Sequence, residues 1–561
     1  MANRRWWRYT IACAVVLAAA RPAGAQVVTV TVKSAGDLLN QVRMLAKAAD
    51  PASARQILDG LDALENGVAL KWLDREKPLA GRMDLPGVGQ GGPGALPVST
   101  MFLPITSRDD LLDALKGFGF AVDDKPGAEG FSHKVARPGG EGPVYYLLSD
   151  PPAGYAVLHS VPSGAAGLRA VKPDVLRPSR PGTVLVGLRL DKIPEQLKAA
   201  AVANVKQRNE AARQRKDGET DEAYRGRLAG ITLSETAFAS LLRDGRELTL
   251  DADVVEKAEK FTVALGVDAR PGTPTAAALG AFGARRGRFL NLWRDAAVTL
   301  QGVLPVPEAF RTLMLATIEQ QRAKAAKENA PEDFRLNKLM LDALAPTLTG
   351  EAYDACMVMG SQAASGGKGG TNVVLFGVGM KDSVKVEAAL REAIAKRLKP
   401  EDKGKVALDH DRGAGGTPIH RITLDPKNLK PEEFGEPLMF LAFPEGAALA
   451  AVGGDGLAVI KQALATLKKT PAGGATAGPQ VGFDFSAVRF SRLHTGENEA
   501  AFREAARDAF PDPAKGGDHI RIGLTGESAR ARLLMEADLP AIAFLVKVGV
   551  IQQKAKAAQG R

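Results

Sequence analysis

NVVLFGVGMKDSVKVEAALREAIAKRL, Asn372 to Leu398, decides how this chain is read. A run rich in Val, Leu and Phe gives a strand, and Gly379 to Lys381 gives a turn. Asp382 then caps a helix whose buried stripe carries Val386 and Leu390, four residues apart. Strand, turn and helix also form a frame on which enzymes hold phosphates or catalytic groups, so the stretch raises the question of an active site. A shorter version, MFLPITSRDDLLDALKGFGF, runs from Met101 to Phe120. There Ser107 is the cap, Asp110 stands three residues on, and Leu111, Leu112 and Leu115 form the stripe.

The segments downstream of the two copies also match. A short strand holds His133-Lys134-Val135 in one case and His420-Arg421-Ile422 in the other. PVYYLLSDPPAGYAVLHSV then answers to PLMFLAFPEGAALAAVGG, and Val186 to Asp191 to Val481 to Ser486. LTLDADVVEKAEKFTVALGVDA and IRIGLTGESARARLLMEADL each read as two alternating strands joined by a polar turn. The lead-ins ILDGLDALENGVALKWLD and MLDALAPTLTGEAYDACMVM agree as well. The pattern implies a duplication with halves of roughly 250 residues, inside the usual domain range. What the halves share is apolar stripes, caps and turns, so the quoted stretch builds core and is not an active site.

The expected fold class is α+β, with two related halves, each a mainly antiparallel sheet with helices on one face, plus helical lead-ins and a charged helical insert. The expected boundaries are a signal peptide at 1–25, a helical lead-in at 26–94, a first half at 95–285 and a connector and lead-in at 286–370. The second half follows at 371–550, then a frayed tail at 551–561. The insert, about 194–245, mixes charge signs and is expected as exposed helices with i,i+4 pairing. From Phe289 to about Lys327, LWRDAAVTLQGVL and FRTLMLATIEQQ are expected to be helical, and GVGQGGPGALP, SGGKGG and TPAGGATAGP to be linkers.

Residues 1–25 combine Arg4, Arg5 and Arg8, the apolar run IACAVVLAAA and the exit Ala23-Gly24-Ala25, the three parts of a secretory signal. Export to the periplasm or beyond is therefore expected, by the general route rather than the twin-arginine one that Arg4-Arg5 suggests. No later stretch approaches the roughly 20 apolar residues of a membrane helix. The four arginines of the signal take the formal charge of +10 down to +6. Acids and bases are interleaved, so nucleic acid is not an expected partner. Cys13 leaves with the signal, and Cys356, alone in an apolar run, reads as a buried inert thiol.

Motifs for chemistry are sparse. Gly87 to Gly92 has dinucleotide-fingerprint spacing, but Pro93-Gly94 prevents the helix that the motif needs. Gly366 to Gly370 departs twice from a phosphate loop, at Gln362 and Gly369. Asp409, His410 and Asp411 are the candidate metal ligands, with an exposed polar loop as the plainer reading, since no second His or Cys stands at ligand spacing. His133 and His420 hold equivalent places beside basic residues, which fits a surface or edge position. No Gly-x-Ser-x-Gly elbow, HExxH or CxxC occurs. No catalytic residue and no cofactor is assigned.

SAGDLLNQVRMLAKAAD, Ser34 to Asp50, and LKWLDREKPLAGRM, Leu70 to Met83, together with the recurring unit, resemble a group of secreted proteins abundant in planctomycete-type bacteria and related to bacterial domains of unknown function. The resemblance covers most of the mature chain. It implies an exported α+β protein and supplies no catalytic residues. The functional expectation is a non-enzymatic binding or scaffold protein, with a lipid, a peptide or an envelope component as partner. The alternative is a secreted hydrolase acting on an envelope polymer or peptide. A third reading has the basic residues of the insert adhere to anionic polymers.

Overall fold

The structure, a computed structural model, describes residues 26–48, 51–67, 70–85, 97–139, 144–148, 154–169, 182–284, 287–289, 292–293, 295–306, 308–328, 331–362, 371–469, 479–493 and 499–558. The signal at 1–25, the motifs at Gly87 to Gly92 and Gly366 to Gly370, and nearly all of the three linkers lie outside those residues. The chain is α+β and forms two compact units, Met1–Ala278 and Leu279–Arg561.

The first unit opens with β1 (Gln26–Val32), α1 (Ala35–Lys47), α2 (Pro51–Asn66), β2 (Leu79–Asp84), β3 (Val98–Pro104) and α3 (Arg108–Gly117). It continues with β4 (Ala121–Asp123), β5 (His133–Ala136), β6 (Tyr145–Leu148), β7 (Tyr155–His159), α4 (Ala165–Arg169) and β8 (Val184–Leu188). After α5 (Glu195–Arg213) and α6 (Asp221–Asp244) come β9 (Gly245–Val255) and β10 (Lys260–Ala269), and α7 (Pro274–Ala284) carries the chain across the boundary. The strands pair antiparallel in the order β4-β5-β6-β7-β3-β2-β1-β8-β9-β10.

The second unit runs β11 (Val298–Pro305), α8 (Glu308–Glu328), α9 (Pro331–Leu348), β12 (Ala352–Gln362), β13 (Thr371–Gly379) and α10 (Ser383–Arg397). Then come β14 (Val406–Arg412), β15 (Pro418–Thr423), α11 (Pro431–Phe434), β16 (Leu438–Ala442), β17 (Ala447–Val452) and α12 (Gly456–Lys469). It closes with β18 (Val481–Ser486), α13 (Ala487–Phe490), α14 (Glu499–Ala509), β19 (His519–Glu527), β20 (Arg530–Asp538) and α15 (Leu539–Ala558). Its order is β14-β15-β16-β17-β13-β12-β11-β18-β19-β20, again antiparallel throughout. Adding ten to each strand number of the first order gives the second.

Local chemistry explains the two strand-turn-helix pieces. Ser107 Oγ accepts the Asp110 N–H at 3.3 Å and satisfies one of the donors left free at the start of α3. Asp382 holds the same place before α10, but its carboxylate takes Lys385 at 3.1 Å instead of a backbone N–H. Gly453, at φ 126°, ends β17 against the start of β13; a Cβ there would stand 2.4 Å from the Asn372 carbonyl oxygen, so no other residue fits.

Three expectations change. Residues 298–305, expected as helix, form β11, because Val298 and Thr299 favour an extended chain and β12 and β18 pair with it on both sides. Helices cover both faces of each sheet rather than one. In the second unit α12 packs Val459, Ile460 and Ala463 against Val373, Leu375 and Leu449. The other face carries Ala448 and Leu441 under Val386 and Ala389 of α10 and Ala343 of α9. In the first unit, Leu111, Ala114 and Leu115 of α3 cover Met101 and Leu158. The opposite face packs Phe102 and Val157 against Leu168 of α4 and Phe131. Finally, α15 continues to Ala558, through the first residues of the segment expected to fray, since QQKAKAA holds only helix formers.

Trp72 and Trp293 report on separate cores, one in each unit. Leu375 is fully buried beneath α12. Leu375→Ala should destabilise the second unit by about 2–5 kcal/mol. In urea melts of a Trp72→Phe background, the Trp293 transition should move to lower denaturant. The Trp72 transition of the single Leu375→Ala variant should stay where it is; equal shifts in both would show that the units do not unfold separately.

Candidate functional site

Asp409, His410 and Asp411 lie in β14, where a bulge between Ala407 and Asp411 interrupts the pairing and Asp409 adopts φ 51°. Their side chains go to different partners. Arg391 of α10 holds Asp409 with two hydrogen bonds of 2.7 and 2.8 Å, Lys461 of α12 holds Asp411 at 2.6 Å, and the His410 ring lies 6.2 Å from that of Phe440. Those cations keep both carboxyls below the usual carboxylate range. Among the described residues, no group of three or more His, Cys, Asp and Glu is placed to hold a metal ion.

His133 and His420 do occupy equivalent strands, β5 and β15, but not at the surface. Both are buried, His420 at 1% exposure. The Nδ1 of His420 accepts the Asp409 N–H at 3.1 Å, so the proton sits on Nε2, which faces Glu387 Oε1 at 3.2 Å. Burial first, and then nearby Arg108 and Arg391 respectively, push both imidazoles below their ordinary value. A sequence signal did exist: each histidine follows the helix that roofs it.

The arrangement nearest to a charge relay surrounds β18 and β19. Ser486 Oγ donates to Asp518 and accepts the Arg489 N–H at 3.3 Å, while Asp518 also accepts the Val488 N–H at 3.2 Å. His519 Nδ1 lies 2.7 Å from Asp484, and its Nε2 lies 3.5 Å from Asp518. Burial alone would raise Asp484, but His519 and Arg521 hold it below its ordinary value. The proton of Ser486 goes to a carboxylate instead of the imidazole, and the serine is buried as the cap of α13. A nucleophile needs the reverse on both counts. Cys356 is equally unsuited, because burial and the neighbouring Asp354 push its thiol up to about 12.

The insert forms a helical hairpin, α5 and α6, in which one ion pair joins the two helices and two tie the connecting turn to α6, instead of running i,i+4. Arg213 meets Glu235 at 2.7 Å, Arg227 meets Glu219 at 2.6 Å and Arg215 meets Asp221 at 2.7 Å. These three arginines, already matched by acids, offer an anionic polymer little free charge.

What stands open is an apolar face. In β8, β9 and β10 the side-chain alternation puts Val186, Leu248, Leu250, Leu265 and Val267 on one side and Thr249, Asp251 and Asp268 on the other. The polar side is the buried one: Thr249, Asp251 and Asp268 are each at most 8% exposed, and Gln41 of α1 hydrogen-bonds Thr183 and Asp253 beside them. Gly182 makes room for this packing, since a Cβ there would collide with the Asp251 carboxylate. The apolar side is open at Leu250 and Leu265, at 36% and 47% exposure, while Val186, Leu248 and Val267 are half-buried and Val254 on the same side is buried. Registered with them on the same side are Val28 and Val30 of β1, neither of them buried. The second sheet has an exposed row of its own on the other wing, where Leu300 of β11, Met357 of β12 and Phe376 of β13 stand side by side at 44%, 36% and 41% exposure.

Leaving a leucine exposed forgoes roughly 1.5–3 kcal/mol of burial, and single exposed apolar residues are ordinary, whereas registered rows of them make a contiguous apolar surface. Concave sites are slight by comparison. Two open depressions among the described residues hold about 370 and 390 Å³, one beside Glu65, Lys71 and Arg75, the other beside Glu195, Lys198 and Leu242. No helix among the described residues is long and apolar enough to cross a membrane. No family model, curated protein or solved structure matches the chain.

A buried polar group in the first unit gives a pH signature. Burial pushes His159 down to about 4, while its Nδ1 stays 3.0 Å from the Ser99 carbonyl oxygen. The stability that neutral His159 contributes is complete above about pH 6.5 and is lost as pH falls toward 4, where only the unfolded chain takes up the proton; the loss reaches about 3 kcal/mol. Asp84, pushed up to about 6 by burial, acts in the opposite sense, costing stability as pH rises from about 3.8 to 6. Urea midpoints read from Trp72 between pH 4 and 6.5 should therefore climb less steeply in His159→Gln and more steeply in Asp84→Asn. Parallel profiles in all three proteins would contradict these assignments.

Proposed function

We propose that the protein is an exported, non-enzymatic binding or scaffold protein of the periplasm or cell surface, built from two related halves. Duplication is supported by the ten strands of each unit pairing in one order, a coincidence hard to reach independently in two ten-stranded sheets. The α5-α6 hairpin is a charged insert carried by the first half alone at this length. Export rests on the three-part signal at residues 1–25.

The observation that carries the binding role is the inverted alternation of β8, β9 and β10, with aspartates under cover and leucines in the open. A sheet whose only task is stability buries its apolar side. Keeping the leucines outside makes sense where a ligand supplies the missing cover. The hydrolase reading receives no comparable support, since Ser486 is occupied as a helix cap and the open depressions converge on no nucleophile.

A dansyl-labelled fatty acid, used as a general apolar probe, should bind the mature chain saturably. Leu250→Glu with Leu265→Glu should weaken that binding at least about tenfold, as each leucine contributes more than about 1 kcal/mol of apolar contact. Unchanged affinity would remove the face from consideration. Mass spectrometry of the exported chain should find Gln26 at the N-terminus, and an intact Met1 on the exported protein would contradict export with cleavage there.

A further inference from the structure

Part of the face left open in the first unit is covered in the second, and that cover indicates what fits; the counterparts of Leu250 and Leu265, Ile522 and Met535, lie beside the covered part. By register, Val28, Val186, Leu188 and Leu248 hold the places that Val298, Phe483, Phe485 and Ile520 hold in the second sheet. In the second unit these four lie beneath α14 and α15, packed with Ala505, Ala541, Phe544 and Val548. In the first unit, no residue of β1, β8, β9 or β10 belongs to any hydrophobic core cluster among the described residues. The hairpin that replaces α14 between β8 and β9 is held to itself through Arg213, Asn209 and Glu235.

The size of the patch selects among occupants. Four strands about 4.8 Å apart, each contributing about five residues at 3.4 Å, present roughly 20 by 17 Å. That is about 300–350 Å², less than half of the roughly 800 Å² that each partner of a stable dimer contributes, so this face alone does not hold a second copy. One α-helix, about 10 Å across and three turns long, fits within it and covers about half. We propose that the open face of β1, β8, β9 and β10 docks one amphipathic helix of a partner protein, laid along Val28, Val186, Leu188 and Leu248, the places that α14 and α15 cover on the second sheet, with Leu250 and Leu265 beside them completing its contact. The proposal rests on the binding role argued above and adds the class of partner.

The test uses the full mature chain and, as a helical probe, a fluorescein-labelled peptide of residues 539–558, whose sequence already covers the equivalent face. Anisotropy should show saturable binding that Leu250→Glu with Leu265→Glu weakens at least about tenfold, or about 1.4 kcal/mol. The peptide should gain helical circular dichroism on binding. Exchange of the probe for α15 of the second unit would leave affinity indifferent to both substitutions and would overturn the proposal, as would absence of binding. If the dansyl fatty acid binds wild type and fails on the variant while the peptide does not bind, the face is a binding surface for acyl chains and only the helical partner is wrong. If neither probe senses the substitutions, both readings fail. Should the double variant unfold, Leu265→Glu alone, at the more exposed of the two positions, makes the same comparison.

Discussion

The structure of each unit depends on the pairing of its first strand with two distant partners. β11 bonds to β12 on one side through eight residue pairs and to β18 on the other through five, from Val298↔Phe485 to Gly302↔Val481. β1 does the same between β2 and β8. On one side of this strand lie six strands, on the other three, and nothing else in the pairing order connects the two groups. The contact closes a loop of well over a hundred residues, so its entropic cost is met only when both wings are formed. Gln480 reinforces it in the second unit, bonding both the N–H and the carbonyl oxygen of Val303 through its own backbone and side chain. Once the central strand is placed, the direction of every side chain in the sheet is fixed, because a one-residue slip would exchange the two faces.

With the faces fixed, what distinguishes the units is the placement of helices. α3 in the first and α10 in the second follow equivalent strands and roof the same wing, each over a buried histidine. On the other wing the second unit has α14 and α15, while the first has a hairpin whose helices satisfy each other. The sheet is thus held in common and the cover is not. The two units agree where a change is costly, in the pairing order, and differ where it is cheap, in the cover over the wing of β8, β9 and β10.

Much of the fold was legible. Strand β13 and helix α10 fall where the quoted stretch put them, and so do β3 and α3, because apolar periodicity and capping residues agree at both places. β2, LAGRMD, carries no β-branched or aromatic residue, and its extended form comes from β1 and β3 on either side. β11 was misjudged for a related reason: VTLQGVL suits a helix or a strand by period, and only partners nearly two hundred residues away decide. For Asp409, His410 and Asp411 the composition of a metal site was visible, but the partners that hold the two aspartates, Arg391 and Lys461, come from other elements. Adjacent letters did not become a common centre.

The least legible feature was the direction of LTLDAD. Alternation identifies a strand and separates its two sides, but does not say which side the rest of the chain will cover. The usual assumption, apolar inward, fails here because the buried side offers partners to its polar groups: Gln41 and Thr183 share Asp253, and Gly182 yields space to Asp251. A carboxylate beneath a roof is tolerable only when so supplied, and a leucine in water costs less than an unsatisfied buried charge. The inversion is therefore an arrangement in which the sheet folds with its aspartates covered and two leucines left in water. Asp253 takes its partners, Gln41 and Thr183, from within the chain, and Leu250 and Leu265 stay on the open side.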